Sequence, residues 1–306
     1  MSIVKHNTAS VNGIDIFYRE AGQKGKPALV LLHGYPTSSH MYRNLMQQLS
    51  NDYYLIAPDY PGFGRSAQPH MADFDYSFDS FASIVQGLLD KLGLDRYSLY
   101  LMDYGAPVGF RIATAHPEKI ESLIVQNGCA YNEGLEQFWD PIKEYWKNKN
   151  NKVAERTLEG FHSVEGLQWQ YTHGVTDSAV VSPDNWENDL RHLLRPGNDR
   201  IQLQLFYDYQ NNVTLYPQWQ EYFRSHNPEM LIVYGKNDYI FPVAGAEAYK
   251  KDVKNLQYHL YDTGHFALET HGEEIAATIR AFLRRITRQP LITGENPNIE
   301  SFTRSE

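Results

Sequence analysis

The segment of residues 97–105, Tyr-Ser-Leu-Tyr-Leu-Met-Asp-Tyr-Gly, decides the fold. Its apolar run predicts a buried strand that ends at Asp103, and small residues from Gly105 onward open a helix at once. An acidic residue before a helix is commonly an N-terminal cap. In a sheet of parallel strands, however, a side chain at this turn projects at the edge where ligands bind, and a small residue two positions later lets strand and helix approach closely. The rest of the chain decides between these interpretations.

Short apolar strands alternate with helices on both sides of this segment. Before it, a strand pattern at 28–32 leads to a helix at 43–50 and a second strand at 53–59. After it, a helix at 106–117 leads to a strand at 122–127. The alternation predicts an α/β fold with a mostly parallel central sheet that is flanked by helices.

The alternation stops after Gly128 and resumes at Met230. The intervening residues have helical periodicity and many aromatic side chains, which predicts a helical cap inserted into the α/β core. The predicted boundaries are a core of residues 1–129 and 229–288, a cap (lid) of 130–228, and a C-terminal tail of 289–306 without apolar periodicity.

The composition limits the classes of partner. The 306 residues contain 28 Lys and Arg against 37 Asp and Glu, a formal charge of -9, which argues against nucleic acid or an anionic membrane surface as partner. No apolar run approaches the length of a spanning helix, and the first residues lack a signal-peptide pattern. The lone Cys129 suits a reducing compartment. We therefore expect a soluble cytoplasmic protein without metal or cofactor, and homodimerisation stays open.

Two further polar residues follow predicted strands near the end of the chain. Asp238 comes after the strand that begins at Met230, and His265 comes between a strand and the last helix. Both side chains are therefore expected at the same edge of the sheet as Asp103. The order of nucleophile, acid and histidine is the one described for a hydrolase triad on this kind of sheet.

Two loops complete a resemblance to a known superfamily. His33-Gly34-Tyr35-Pro36 follows the strand at 28–32, and residues 59–66 read Asp-Tyr-Pro-Gly-Phe-Gly-Arg-Ser. With the turn at Asp103 and the late Asp and His, the chain from about residue 10 to 288 resembles the α/β-hydrolase superfamily. The resemblance implies the α/β-hydrolase fold and an oxyanion hole made by the backbone N–H groups of Tyr35 and Tyr104.

The residue at the turn separates this chain from the serine hydrolases of the superfamily. It is Asp103, and no Gly-x-Ser-x-Gly occurs in the sequence. A carboxylate attacks carbonyls poorly but can open a strained or activated carbon electrophile to give an ester, which water then hydrolyses. The expected roles are Asp103 as nucleophile, His265 as base for the water, and Asp238 to orient the imidazole. This chemistry indicates an epoxide or an alkyl halide as substrate.

The residues around the turn favour epoxides. Haloalkane dehalogenases typically carry Trp after the nucleophile and often Asn after His-Gly, whereas this chain has Tyr104 and Tyr35 at those positions. An epoxide hydrolase acting on small apolar epoxides is therefore the leading hypothesis, with a dehalogenase-like enzyme acting on halogenated substrates as the alternative. In that alternative, a cap tryptophan would donate to the halide: Trp139, Trp146 or Trp169. A non-catalytic ligand-binding member of the superfamily is the second alternative, and the retention of all three triad residues argues against it.

Epoxide hydrolases use cap tyrosines as acids toward the epoxide oxygen, so the resemblance also implies proton donors here. The segment around Tyr209 resembles the late-cap tyrosine segment of epoxide hydrolases best, and Tyr207 is the second candidate. For the partner tyrosine, Tyr145 and Tyr171 both stay open. The residues expected to line the substrate pocket are His33, Trp139 and Trp169.

Overall fold

The computed structural model describes residues 3–288, and within them the core is one sheet of eight strands. The strands are β1 (Lys5–Val11), β2 (Ile14–Ala21), β3 (Ala28–Leu32), β4 (Tyr54–Pro58), β5 (Tyr97–Met102), β6 (Ile120–Gln126), β7 (Met230–Gly235) and β8 (Leu256–Tyr261). Their spatial order is β1-β2-β4-β3-β5-β6-β7-β8. The strand β2 runs antiparallel to β1 and β4, and the other neighbours are parallel. The predicted mostly parallel α/β sheet is confirmed.

The central strands are apolar along their whole length because both faces of the sheet are covered. Every residue of β3, β4, β5 and β7 is buried. The helices are α1 (Arg43–Leu49), α2 (Phe78–Leu92), α3 (Gly105–Ala115), α4 (Asp140–Lys147), α5 (Lys152–Gly160), α6 (Val164–Thr172), α7 (Asp184–Leu193), α8 (Asn198–His226), α9 (Val243–Ala248) and α10 (Ala267–Arg288). The apolar cluster on one face includes side chains of α1 and α10, and the cluster on the other face includes those of α2, α3 and α8.

The chain between β6 and β7 is the helical insertion. It holds α4 to α8, and the 29-residue α8 packs against α2 and α3 of the core. The last core helix begins at Ala267, and its backbone leaves helical geometry at His271. The predicted tail of 289–306 lies outside the described residues.

One end of the cap is attached to a core loop by several hydrogen bonds. The guanidinium of Arg195 donates to the carbonyls of Gly62 and Ser66, at 2.5 and 3.1 Å. The amide of Asn198 donates to the same Gly62 carbonyl at 2.7 Å. These contacts join the turn between α7 and α8 to the glycine-rich loop of residues 59–66.

None of the described helices combines the length and the apolar character that a membrane-spanning segment needs.

Candidate active site

Asp103 lies at a sharp turn between β5 and α3. Its φ angle is +51°, in the left-handed region that Asp and Asn tolerate better than other side chains. The turn also depends on Gly105, where an added Cβ would lie 2.1 Å from the carbonyl oxygen of Leu32 on β3. The backbone thus directs the Asp103 side chain to the carboxyl edge of the sheet, as the sequence pattern predicts.

The Asp103 carboxylate is held by backbone N–H groups. The N–H of Tyr35 donates to Oδ1 at 2.7 Å. The preceding Gly34 makes this approach possible, because a Cβ there would lie 2.1 Å from the same Oδ1. Burial raises the pKa of Asp103 to about 6, although His265 and the N–H groups of Tyr35 and Tyr104 lower it in part. The carboxylate is therefore more basic than an ordinary aspartate but ionised at neutral pH.

His265 is oriented by Asp238. The imidazole Nδ1 lies 2.8 Å from Asp238 Oδ2, and both side chains are buried. Asp238 also accepts from the Ile240 N–H at 2.8 Å and from the Asn127 side-chain amide at 2.8 Å. Burial lowers the pKa of His265, but the Asp238 carboxylate and then Asp103 outweigh it, so the pKa is raised above 6.5.

The other imidazole nitrogen faces Asp103 without bonding to it. His265 Nε2 is 3.8 Å from Asp103 Oδ2, too long for a hydrogen bond, and it has no partner among the described residues. The structure therefore brings together all three predicted triad residues. The arrangement can supply a carboxylate oxygen and, beside it, a base for a water molecule.

A small cavity of about 20 Å³ lies beside Asp103. Core and cap residues together form its wall: Tyr35, Asp103, Tyr104, Phe138, Trp139, Ile142, Gln170, Phe206 and Ile240. Most of these side chains are apolar, which suits a small apolar ligand held by few polar groups.

Of the three predicted pocket residues, Trp139 lines the cavity, but its indole N–H already donates a hydrogen bond. Its Nε1 donates to the carbonyl of Ile240 at 2.7 Å. The indole of Trp146 likewise donates to the carbonyl of Phe206 at 2.7 Å. Because an indole has one N–H, neither is available to a ligand while these bonds stand.

The other two predicted pocket residues lie behind the cavity wall. His33 is fully buried, accepts from the Tyr60 N–H at Nε2, and lies 3.0 Å from the Gly34 carbonyl through Nδ1. It therefore holds the loop that carries the Tyr35 N–H. Trp169 stacks on Phe138, with ring centroids 6.0 Å apart, and so supports the wall from outside.

Tyr209 lies next to the cavity. Its ring contacts Trp139, with centroids 4.4 Å apart, and Tyr104, with centroids 6.1 Å apart. Its hydroxyl is buried beside that of Tyr216. The role of Tyr209 as proton donor stays a prediction.

Tyr171 faces away from the cavity, and the neighbouring residue Gln170 lies in the cavity wall, where Tyr171 was expected. The Tyr171 ring stacks on Phe266 at 3.9 Å, and its hydroxyl donates to Asp189 at 2.5 Å. Gln170 lines the cavity instead. The difference is one residue, which on a helix of 3.6 residues per turn rotates a side chain by about 100°.

Tyr145 and Tyr207 contact each other rather than the cavity. Their rings meet edge to face with centroids 5.9 Å apart, and the ammonium of Lys149 lies 4.5 Å from the Tyr207 ring centre. In this arrangement neither hydroxyl belongs to the cavity wall.

Two residues of the site were missed in the sequence. Asn127 directly follows β6, so the rule that located Asp103 and Asp238 at strand ends would have found it. Gln170 carries no comparable signal, because only the rotation of its helix brings it to the cavity.

A family model described as alpha/beta hydrolase fold matches residues 27–272. The chain belongs to the α/β-hydrolase family and is a hydrolase of that fold.

The similar proteins include both enzyme classes that the sequence suggested. An uncharacterized hydrolase of Saccharomyces cerevisiae is 45% identical over 90% of this chain and 95% of its own length. The structure of the haloalkane dehalogenase DbeA from Bradyrhizobium elkani matches with a TM-score of 0.78 and 20% identity, covering 93% of this chain and 99% of that one. The structure of the epoxide hydrolase CorEH matches with a TM-score of 0.76 and 20% identity, covering 93% of this chain and all of that one. At such identity the two structures show the shared fold.

Proposed function

We propose that this hydrolase converts small apolar epoxides to vicinal diols through an ester on Asp103. The observation that carries the proposal is that Asp103 Oδ1 itself accepts the hydrogen bond from the Tyr35 N–H, at 2.7 Å. When water attacks an ester of Asp103, the negative charge develops on this oxygen. The N–H donors are thus already aimed at the oxyanion of ester hydrolysis, where they stabilise the transition state.

The position of His265 fits the same order of events. A serine must lose a proton to its histidine before it attacks, and so needs a hydrogen bond to it. An ionised carboxylate needs no such help, and the gap of 3.8 Å between Asp103 Oδ2 and His265 Nε2 separates the two groups. In this proposal Oδ2 attacks carbon, and His265 then deprotonates the water that hydrolyses the ester, with Asp238 stabilising the imidazolium.

The donors around the cavity favour an epoxide over a halide. The indole N–H groups of Trp139 and Trp146 are bonded to backbone carbonyls. The cavity wall also includes the phenols Tyr35 and Tyr104, whose hydroxyl hydrogens can rotate toward a new acceptor, which an indole N–H cannot do. An opening epoxide needs a proton at its oxygen, which a phenol supplies, whereas a halide leaves without one.

A single-turnover experiment in H₂¹⁸O tests the ester. With enzyme in excess over an epoxide such as styrene oxide, the first diol takes its new oxygen from Asp103, and the ¹⁸O appears in the peptide that contains Asp103. Label in the first diol and none in the protein would contradict the ester mechanism.

A substrate panel tests the class of substrate. Purified protein should form diols from terminal epoxides and release little halide from haloalkanes of similar size, and Asp103→Ala should abolish turnover. Halide release without diol formation would make the dehalogenase alternative the better one. Binding of both without turnover would favour the ligand-binding alternative.

A further inference from the structure

Tyr35 contributes two different groups to the site. Its backbone N–H donates to Asp103 Oδ1, and its side chain lines the cavity. The phenol reaches from the core to the cap, where its hydroxyl donates to the carbonyl of Phe161 at 2.9 Å. A single residue of the core loop therefore carries a donor on the nucleophile and a second donor across the cavity.

The amide of Gln170 converges on the same carbonyl. Its Nε2 lies 3.4 Å from the carbonyl of Phe161 and 3.3 Å from that of Gly166. Gln170 is buried and lines the cavity with Tyr35. If the Tyr35 hydroxyl rotates toward another acceptor, the Gln170 amide still donates to the Phe161 carbonyl. The rotation therefore leaves no buried acceptor unpaired.

Two other phenols lie near Asp103. The hydroxyl of Tyr209 is buried beside that of Tyr216, and the hydroxyl of Tyr104 is buried without a hydrogen-bond partner among the described residues. The remaining wall is apolar or, at Trp139, already bonded. Of these three phenols, Tyr35 is the one that both lines the cavity and gives its hydroxyl to a polar partner that can be exchanged.

We propose that the Tyr35 hydroxyl protonates the epoxide oxygen as Asp103 attacks, and that Gln170 is its positioning residue. This inference rests on the proposed function and supplies the second proton donor that the sequence left open between Tyr145 and Tyr171.

Asp103 Oδ2 forms the bond to carbon, the ring C–O bond breaks toward oxygen, and that oxygen takes the Tyr35 proton. Hydrolysis by water at His265 regenerates the carboxylate. The imidazolium proton then returns to the Tyr35 phenolate through water, so one epoxide and one water give one diol. Burial raises the pKa of Tyr35, which keeps the phenol protonated before the attack.

Tyr35→Phe tests the proposal because it keeps the ring and the backbone N–H and removes only the hydroxyl. Rapid quenching with mass spectrometry of the intact protein gives the rates of ester formation and ester hydrolysis separately. Ester formation should fall by about 10² to 10³, the usual loss for one preorganised donor, while hydrolysis of the ester should keep its rate. Gln170→Met should slow ester formation by about tenfold, again without slowing hydrolysis.

Tyr76→Phe is the matched control, because the buried Tyr76 hydroxyl also donates to a backbone carbonyl, that of Pro69 at 2.8 Å. It should change the melting temperature as Tyr35→Phe does and leave both rates intact. Equal slowing of both steps in Tyr35→Phe, or unchanged ester formation, would overturn the inference while the ester mechanism stands. If Tyr35→Phe fails to fold, the split between the two rates in Gln170→Met decides alone. Absence of any ester in the wild-type protein would instead overturn the proposed function.

Discussion

His265 Nε2 lies 3.8 Å from Asp103 Oδ2, while Nδ1 of the same ring lies 2.8 Å from Asp238. The imidazole is thus fixed by one carboxylate and held just beyond bonding distance of the other. In the proposed mechanism, this spacing separates a nucleophile that acts unaided from a base that acts afterwards, so the two half-reactions should be separable by mutation.

His265→Gln should trap the ester. Asp103 can still attack, but no base remains to activate water, so the alkylated protein should accumulate to nearly one adduct per molecule. Mass spectrometry after addition of an epoxide should find the adduct on the peptide that contains Asp103. The double variant with Asp103→Ala is the control and should stay unmodified. An unmodified single variant, with a substrate that the wild type turns over, would count against the ester.

The two half-reactions should respond to pH differently. Burial raises the pKa of Asp103 to about 6, and attack requires the ionised form, so ester formation should rise with pH through that value and then level off. The pKa of His265 is raised above 6.5 because burial is outweighed by Asp238, and the base must be neutral, so hydrolysis should rise at higher pH. The ester should therefore accumulate most between the two values. Quenched-flow rates at several pH values measure this, and parallel profiles would disagree with it.

Asp103→Asn should stabilise the protein at neutral pH. The pKa of the folded state, about 6 against an ordinary 3.8, means that ionisation of the buried carboxyl costs free energy of folding, of order 1 to 3 kcal/mol. Because the pKa of Asp103 is raised on folding, its protonated form contributes fully to the stability of the folded protein below pH 3.8. This contribution is lost as pH rises through about 6. The gain in Tm of the variant should therefore be largest above pH 7 and vanish in acid. Asn also tolerates the left-handed backbone. Equal Tm values at pH 8 would refute the prediction.

Gly34→Ala should disable the site. A methyl group there would lie 2.1 Å from Asp103 Oδ1, so the carboxylate must move out of the N–H donors. A displacement of about 1 Å costs about 10² in rate, and kcat/KM should fall by at least that factor. Gly160→Ala is the control, since nothing lies within 4 Å of its added Cβ. Wild-type kcat/KM in Gly34→Ala would show that the loop accommodates the methyl group.

Tyr209→Phe tests the cap donor predicted from the sequence. If this hydroxyl reaches the epoxide oxygen, the rate of ester formation should fall by about 10² or more, and by less if Tyr35 shares the task. Tyr207→Phe should have the smaller effect, because its ring contacts Tyr145 and Lys149 outside the cavity. The reverse ranking in single-turnover rates would move the role to Tyr207.

The core of the site was predictable because strand ends are easy to locate. Asp103 and Asp238 each follow a continuous apolar run, and parallel strands bring such ends to one edge. The hairpin of β1 and β2 carries an equally plain signal, because Asn12 and Gly13, both with positive φ, form a two-residue turn between Val11 and Ile14.

The cap was less predictable because helical neighbours differ in direction by about 100°. The sequence pattern therefore could not distinguish Tyr171, which bonds Asp189, from Gln170, which lines the cavity. Nor could it show that the Trp139 indole is bonded to a carbonyl, because Ile240 lies about a hundred residues away in the chain.

The cap is attached unevenly to the core. Moving the cap away from Gly62 would break the hydrogen bonds that the Gly62 carbonyl accepts from the Arg195 guanidinium and the Asn198 amide. Each broken bond would cost about 1 to 3 kcal/mol. At the opposite margin, a phenol and a glutamine amide meet one carbonyl, that of Phe161. The Gly62 end is thus the more strongly hydrogen-bonded of these two attachments.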